Sequence, residues 1–404
     1  MRPSPAVRRR AGAVALAAAA VALVWLLLSG GGDPDVPEDP FPPPQTTTRA
    51  VDDDAPEPEL DAATEHLVES VMLVGFEGTD AQAIVEDLDR NPYGALLIGT
   101  SNWAGKGEGA KLIEAIRKAG GSRAPLIVTD QEGGVYRSLP DLPPPEREIE
   151  IGDRGKPELA EEWGESGAKA LADAGIDLNL APVADVATLD SAIADRAFSD
   201  DPAVAADMTA AAVEGCEKGG VACAVAHFPG LGAAAQSTDA GPASIGLDVT
   251  TLRARDVLPF EAAFAAGAPA TVVSHGLYVA YDPVTPASLS RAITTDLLRD
   301  ELGFEGVAIS DDIGAGAIGA VSDPGSAAVD AVNAGIDLVQ VADPRDVVPV
   351  RQALEAAVES GELSVERLQE AADRVAELRD SGQGTEEARE GEGNRPKGPK
   401  KGSR

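Results

Sequence analysis

Eight short apolar runs recur along the middle of the chain, and segments with helical periodicity separate most of them. The runs span residues 71–76, 95–99, 126–129, 178–182, 221–226, 271–274, 307–310 and 338–341. Helical periodicity is clearest at residues 158–174, 203–218, 255–266, 327–333 and 347–358. Short strands that alternate with helices form parallel sheets, so the pattern predicts an α/β fold with a single (β/α)8 barrel at residues 62–380. A doubly wound open sheet is the alternative, but no glycine-rich dinucleotide fingerprint follows the first run.

The segments on either side of the predicted barrel differ from it in composition. Four arginines within residues 2–10 precede an uncharged run at residues 11–28, which predicts an N-terminal signal anchor at residues 1–29. The protein is then a single-pass membrane protein with the barrel outside the cell; secretion after signal cleavage is the alternative. Residues 30–61 are rich in Pro and Asp and are predicted to be a disordered linker, and residues 381–404 a disordered charged tail.

Charge and cysteine content narrow the range of ligands. With 68 acidic and 33 basic residues, the net charge of −35 argues against nucleic acid or an anionic membrane surface as a ligand. No His, Cys and Asp cluster has zinc-site spacing and no phosphate loop is present, so neither a metal nor an organic cofactor is predicted. Cys216 and Cys223 are interpreted as buried free thiols, with a disulfide between them as the alternative. The sequence does not determine the oligomeric state.

Polar residues follow several of the apolar runs at the point where each run ends. Asp130, His227, His275 and Asp311 stand directly after predicted strands, and Arg196 lies in the segment after another, at residues 178–182. The carboxyl ends of barrel strands meet on one face, so these side chains are expected to converge and to bind a polyhydroxylated ligand. Asp311 is the candidate nucleophile. The alternatives are a helix cap at residues 310–312 and purely structural histidines.

Five segments carry a resemblance to a known family. In chain order they are DQEGG (130–134), LAPVAD (180–185), RAFSDDP (196–202), HFPG (227–230) and GFEGVAISDD (303–312). They resemble the successive signatures of glycoside hydrolase family 3, most closely those of its bacterial β-N-acetylhexosaminidases, over residues 62–378. The resemblance implies a retaining glycosidase that removes terminal β-linked N-acetylhexosamine from cell-wall or other glycans through a covalent intermediate.

The resemblance also implies roles for individual residues. Asp311 matches the family's nucleophile, and Asp130 matches a residue that holds sugar hydroxyls. The other matches are Arg137 and Arg196, which shape the sugar subsite, His227 of the family's Lys-His-Phe-Pro-Gly segment, and His275 after the next strand. Asp311 is thus expected to be catalytic and the other five residues to bind substrate.

The chain departs from the family in the loop after the fifth strand. Ala226 stands where the hexosaminidases have Lys, and the Asp-Ser-His dyad that serves as general acid and base reads Ser237-Thr238-Asp239. Asp239 can replace the dyad only if its apolar surroundings at residues 233–235 raise its pKa; otherwise it is an exposed aspartate in a degenerate site. Two functions remain open: a glycosidase with a degenerate acid/base loop, and a membrane-tethered, catalytically impaired glycan-binding pseudoenzyme.

Overall fold

The fold is an α/β barrel, and the computed structural model describes residues 60–393 of it. Its eight strands are β1 Met72–Gly75, β2 Ala95–Leu97, β3 Leu126–Thr129, β4 Leu178–Asn179, β5 Ala222–Phe228, β6 Ala270–Val273, β7 Val307–Ser310 and β8 Val339–Val341. All pair in parallel and in the order β7-β6-β5-β4-β3-β2-β1-β8, while a bridge between Ile309 and Leu338 joins the two ends. The predicted barrel of eight parallel strands is confirmed, and the ends of each strand lie within three residues of those of one predicted run.

Ten helices complete the frame within the described residues, apart from short helical turns and one π-helix, Ala292–Glu301. They are α1 Ala62–Ser70, α2 Ala81–Leu88, α3 Lys106–Gly120, α4 Pro157–Ala172, α5 Pro202–Gly219, α6 Val249–Arg255, α7 Leu258–Ala265, α8 Pro324–Ala334, α9 Pro344–Ser360 and α10 Val365–Gly393. Asp-Pro dipeptides start α5, α8 and α9: the Asp side chain accepts backbone N–H bonds and Pro occupies the first turn.

Small and branched apolar side chains fill the barrel interior. Alternate residues of the strands point inward and form one buried cluster, which includes Leu73, Val128, Ala224, Val272 and Ile309. A larger cluster lies between the strands and the surrounding helices. Because both faces of every strand are covered, the strands read as continuous apolar runs in the sequence. The polar residues that follow the strands are therefore held on a rigid, closely packed support.

Two predicted boundaries differ from the structure. The helix expected at residues 255–266 is α7, which begins three residues later than predicted, and Pro259, which supplies no backbone N–H, stands in its first turn. Helix α10 continues to Gly393, past residue 380 where the disordered tail was expected to begin. Residues 1–59, with the predicted signal anchor and nearly all of the linker, lie outside the described residues. Among residues 60–393, no helix combines the length and apolar character needed to cross a membrane.

Cys216 and Cys223 form a disulfide, so the interpretation as two free thiols is wrong. Cys216 lies in the last turn of α5, and Gly220, with a left-handed φ of 81°, caps the end of this helix. This glycine turns the chain directly into β5, where Cys223 is the second residue. The short return brings the two Cα atoms to 6.2 Å, within the range that a disulfide spans. The distance between these two Cα atoms could not be obtained from the sequence alone.

Candidate active site

Asp311 stands at the carboxyl end of β7 with a fixed backbone and a partly buried side chain. Its amide donates to the carbonyl of Val273 at the end of β6 (3.0 Å), and its Oδ1 accepts the amide of Asp312 (2.9 Å). Burial raises the pKa of Asp130 and lowers that of His227, and the charge of Asp311 adds a smaller upward effect on both pKa values, so these three groups share one electrostatic environment. Asp311 therefore meets the positional requirement for a nucleophile at the mouth of the barrel.

Asp130, at the end of β3, has an unsatisfied buried oxygen. Its Oδ1 is buried and has no hydrogen-bond partner within the described residues, although the residue as a whole is partly exposed. Burial raises the pKa of Asp130 to about 7; the charges of Glu132 and Asp311 add to the rise, while Arg196 and His227 oppose it. A buried acceptor needs a donor, and a hydroxyl group of a ligand can supply one.

Arg196 is held by a carboxylate that the sequence analysis did not single out. Its Nε and Nη2 donate to the two carboxylate oxygens of Glu132 at 2.8 and 2.5 Å, and Glu132 is only 4% exposed. The same Nη2 lies 3.3 Å from His227 Nε2, and the guanidinium lies over the ring of Tyr136. The bidentate pair fixes the orientation of Arg196 toward the site.

His227 forms a buried pair with Asp185, a second residue that sequence reasoning missed. His227 Nδ1 lies 2.8 Å from Asp185 Oδ2, and Asp185 also accepts the amide of Leu231. Burial, the largest single influence, lowers the pKa of His227, but the hydrogen bond and charge of Asp185 together with Asp311 outweigh it, so the net shift is upward. Both missed carboxylates lie inside the segments DQEGG and LAPVAD, so the available signal was their place in those motifs.

His275 and Arg137 occupy the predicted region but bind protein groups. His275 is fully buried, with Nδ1 2.7 Å from Ser288 Oγ and Nε2 donating to the carbonyl of Asp312 at 2.8 Å. Arg137 donates to the carbonyls of Gly134 and Leu142 at 2.6 and 2.9 Å. His275 therefore holds the backbone beside Asp311. Arg137 holds the hairpin whose two strands are Gln131–Gly133 and Tyr136–Arg137.

Asp239 is exposed and is not enclosed by the apolar surroundings that the sequence analysis required. Its carboxylate accepts the hydroxyl of Ser237 (3.0 Å). Its loop is fixed through the backbone instead: the amides of Gly316 and Ala317 donate to the carbonyls of Asp239 and Thr238. Because the carboxylate is exposed, the neighbouring alanine side chains do not enclose it. Ala226, at the position of the family's Lys, is buried and lies in the barrel interior.

Comparison with known proteins identifies the family. The model of the glycosyl hydrolase family 3 N-terminal domain matches residues 63–378. The chain belongs to glycosyl hydrolase family 3. The resemblance noted in the sequence is thereby confirmed, and the barrel with its site coincides with the matched region. Within residues 60–393, no group of three or more His, Cys, Asp or Glu side chains is arranged to hold a metal ion.

Similar members of family 3 are named after hexosaminidase activity. The chain is 35% identical over 290 residues to a β-hexosaminidase of Stenotrophomonas maltophilia K279a. The aligned region covers 68% of this chain and 84% of that one. It superposes on a β-N-acetylglucosaminidase from Paenibacillus sp. FPU-7 with a TM-score of 0.76 and 29% identity, over 80% of this chain but only 63% of that longer one. A β-N-acetylhexosaminidase from Beutenbergia cavernae superposes with a TM-score of 0.71 and 31% identity, over 78% of this chain and 98% of that one.

Proposed function

We propose that the protein is a retaining β-N-acetylhexosaminidase that forms its covalent intermediate on Asp311. The observation that carries the proposal is the buried, unpaired Oδ1 of Asp130 in the same charged cluster as Asp311, Arg196 and His227. This arrangement offers one acceptor and two cationic or neutral donors to sugar hydroxyls, beside a carboxylate free to attack. The names of the similar family members support N-acetylhexosamine as the sugar.

The acid/base step is the degenerate part of the proposed mechanism. Asp239 is the only ionisable side chain in residues 229–243, and its carboxylate is solvent-exposed. Attack of Asp311 on the anomeric carbon expels the aglycone oxygen with little proton donation, and water must later attack the glycosyl-enzyme with little help from a base. We therefore expect turnover of natural glycans to be slower by about two to four orders of magnitude than with an intact dyad.

The test uses aryl β-N-acetylglucosaminides whose leaving groups differ in pKa. Without acid assistance, the rate of the first step should fall steeply as the leaving-group pKa rises. The best leaving group should give a glycosyl adduct detectable by mass spectrometry, which Asp311→Asn abolishes. Azide, a nucleophile that needs no base, should accelerate the second step. Asp239→Asn is the matched control and should change each rate by less than about twofold.

The glycan-binding pseudoenzyme remains the second candidate, because the dyad is absent from the sequence. Folded protein that binds N-acetylglucosamine but yields neither adduct nor released aryl alcohol, with a β-glucoside tested in parallel, would establish that candidate instead. A flat dependence on leaving-group pKa, together with a large loss in Asp239→Asn, would show that Asp239 supplies the proton after all. Each outcome is read from the same protein preparations.

We further propose that the barrel is held outside the cell by residues 1–29. The arginines before the apolar run favour that orientation. The Cys216–Cys223 disulfide supports an oxidising location. In cell fractionation the full chain should sediment with membranes and be open to external protease in intact cells, and deletion of residues 1–29 should remove it from the membrane fraction. Full-length protein in the soluble cytosolic fraction would contradict the proposal.

A further inference from the structure

A cavity of about 320 Å³ lies at the end of the barrel opposite the active site. Asp177, Ala222 and Pro269 line it, and they stand at or just before the starts of β4, β5 and β6. Cys216 and Cys223 also line this cavity. The two cysteines are 4% and 2% exposed, so the disulfide is shielded from bulk solvent except along this route. The cavity is partly open, and its volume suits a molecule of small-reagent size.

The ionisable side chains of the cavity wall are Arg117, Asp177 and Glu217. Arg117 Nη2 donates to Asp177 Oδ1 (2.6 Å) and to the carbonyl of Gly175 (2.8 Å). One guanidinium and two carboxylates thus line the cavity in a protein of net charge −35, which disfavours anionic reagents. The remaining wall is largely apolar, from residues such as Ile176 and Val213. A small, uncharged thiol fits this chemistry better than an acidic one.

On its inner side the disulfide contributes to a second, smaller cavity that Gln131 and Asn179 also line. The amide of Gln131 donates to Asn179 Oδ1 (2.9 Å), and Asn179 Nδ2 donates back to the carbonyl of Gln131 (3.2 Å). Gln131 directly follows Asp130, which carries the buried, unpaired Oδ1 of the proposed sugar site. The disulfide is therefore the common wall between a solvent-connected cavity and the contact that positions the backbone behind Asp130.

We propose that Cys216–Cys223 is a thiol-exchange site, which small uncharged dithiols reach through the cavity and whose opening loosens the Gln131–Asn179 contact. A thiolate of the dithiol attacks one Sγ, the S–S bond breaks, and the other cysteine leaves as a thiolate that takes up a proton. The second thiol of the reagent then attacks the mixed disulfide and releases the first cysteine. Two hydrogen atoms pass from the dithiol to the protein, and the reagent leaves as a cyclic disulfide.

The fold does not depend on the disulfide alone at this junction. The amides of Gly220 and Val221 donate to the carbonyl of Cys216 at 2.9 and 3.3 Å, so the end of α5 keeps its backbone hydrogen bonds after reduction. Reduction is therefore a local change that leaves the barrel folded, and the two thiols remain close enough to reoxidise.

The experiment measures reduction of the folded, full-length protein by dithiothreitol, with free thiols trapped by iodoacetamide and counted by mass spectrometry. Ala266→Phe narrows the cavity, because Ala266 lines it at the end of α7, and should slow reduction roughly tenfold. Ala83→Phe, the same substitution at an exposed position of α2, is the control and should leave the rate within about twofold. Ala172→Phe, at another lining position, replaces Ala266→Phe if that variant does not fold.

Hydrogen exchange tests the second half of the proposal. The amide of Gln131 should exchange faster in reduced protein than in oxidised protein, while amides in β1 and β2 keep their protection. Equal reduction rates in Ala266→Phe, Ala83→Phe and the wild type, or rates that simply follow unfolding by urea, would overturn access through the cavity. Unchanged exchange at Gln131 would overturn the link to the active site.

Discussion

The buried ion pair between Arg196 and Glu132 allows the contribution of the charged cluster to the free energy of unfolding to be measured. Replacing Arg196 by Met leaves the Glu132 carboxylate, 4% exposed, without its two hydrogen bonds. Breaking a buried pair in this way costs about 3–5 kcal/mol, and the 21% exposure of the Arg196 side chain places the expected loss near the lower end, about 3 kcal/mol. The substitution also removes a charge that lowers the pKa of Asp130, so this pKa should rise further.

The assay is urea unfolding of Arg196→Met, Glu132→Met and the double variant. Because the penalty comes from the unpaired carboxylate, adding Glu132→Met to Arg196→Met should restore at least about 2 kcal/mol of the free energy of unfolding. Arg154 pairs with Glu146 at a similar distance, 2.6 Å, but both side chains are nearly half exposed, so Arg154→Met should cost less than about 1 kcal/mol. A loss in Arg196→Met no larger than in Arg154→Met, or a double variant that is no more stable than Arg196→Met, would refute the reasoning.

Three further predictions follow from single contacts. Because the folded pKa of Asp130 lies near 7 and above its ordinary value of 3.8, the stability contributed by its protonated form is lost as pH rises between these values. Asp130→Asn should remove that part of the pH dependence of unfolding. The affinity for N-acetylglucosamine, measured by calorimetry, should increase as pH rises through 7 in the wild type only. Removing the disulfide with Cys216→Ser and Cys223→Ser together should lower the free energy of unfolding by roughly 2.5 kcal/mol, the chain-entropy value for an eight-residue loop, as measured in urea. Gly152→Ala should destabilise by more than about 2 kcal/mol, since its Cβ would lie 1.7 Å from the carbonyl oxygen of Phe198, whereas Gly107→Ala, in open space within α3, should stabilise by about 0.5–1 kcal/mol; thermal melting of the pair compares them.

Sequence reasoning recovered the barrel because periodicity and burial are local properties. Residues 126–129 and 307–310 read as strands without knowledge of their partners, and the rule that strand ends meet placed Asp130 and Asp311 on one face. The family motifs then supplied the roles that we propose for these residues. Each of these inferences needed only a short window of sequence or the order of such windows.

Pairings between distant residues could not be obtained in that way. Glu132 meets Arg196 across 64 positions, and Asp185 meets His227 across 42, so no periodic pattern links either pair. The position of His275 after a strand was read correctly, but its two ring nitrogens bind Ser288 and Asp312 rather than facing outward. For Asp239, the neighbouring alanines suggested an apolar setting, whereas the chain path leaves the carboxylate in solvent. Side-chain direction in loops depends on tertiary contacts that composition does not encode.

The way in which the Asp239 loop is attached has a consequence for redesign. Its two hydrogen bonds to Gly316 and Ala317 use backbone atoms only, and a Cβ on Gly316 would lie 2.7 Å from the Asp239 carbonyl oxygen. The glycine secures the close approach, and these two hydrogen bonds depend on no side chain of the loop. Substitutions at Ser237 and Asp239 can therefore leave this attachment in place. Ser237→Asp combined with Asp239→His would introduce the missing catalytic pair on a backbone that these two hydrogen bonds already hold in place.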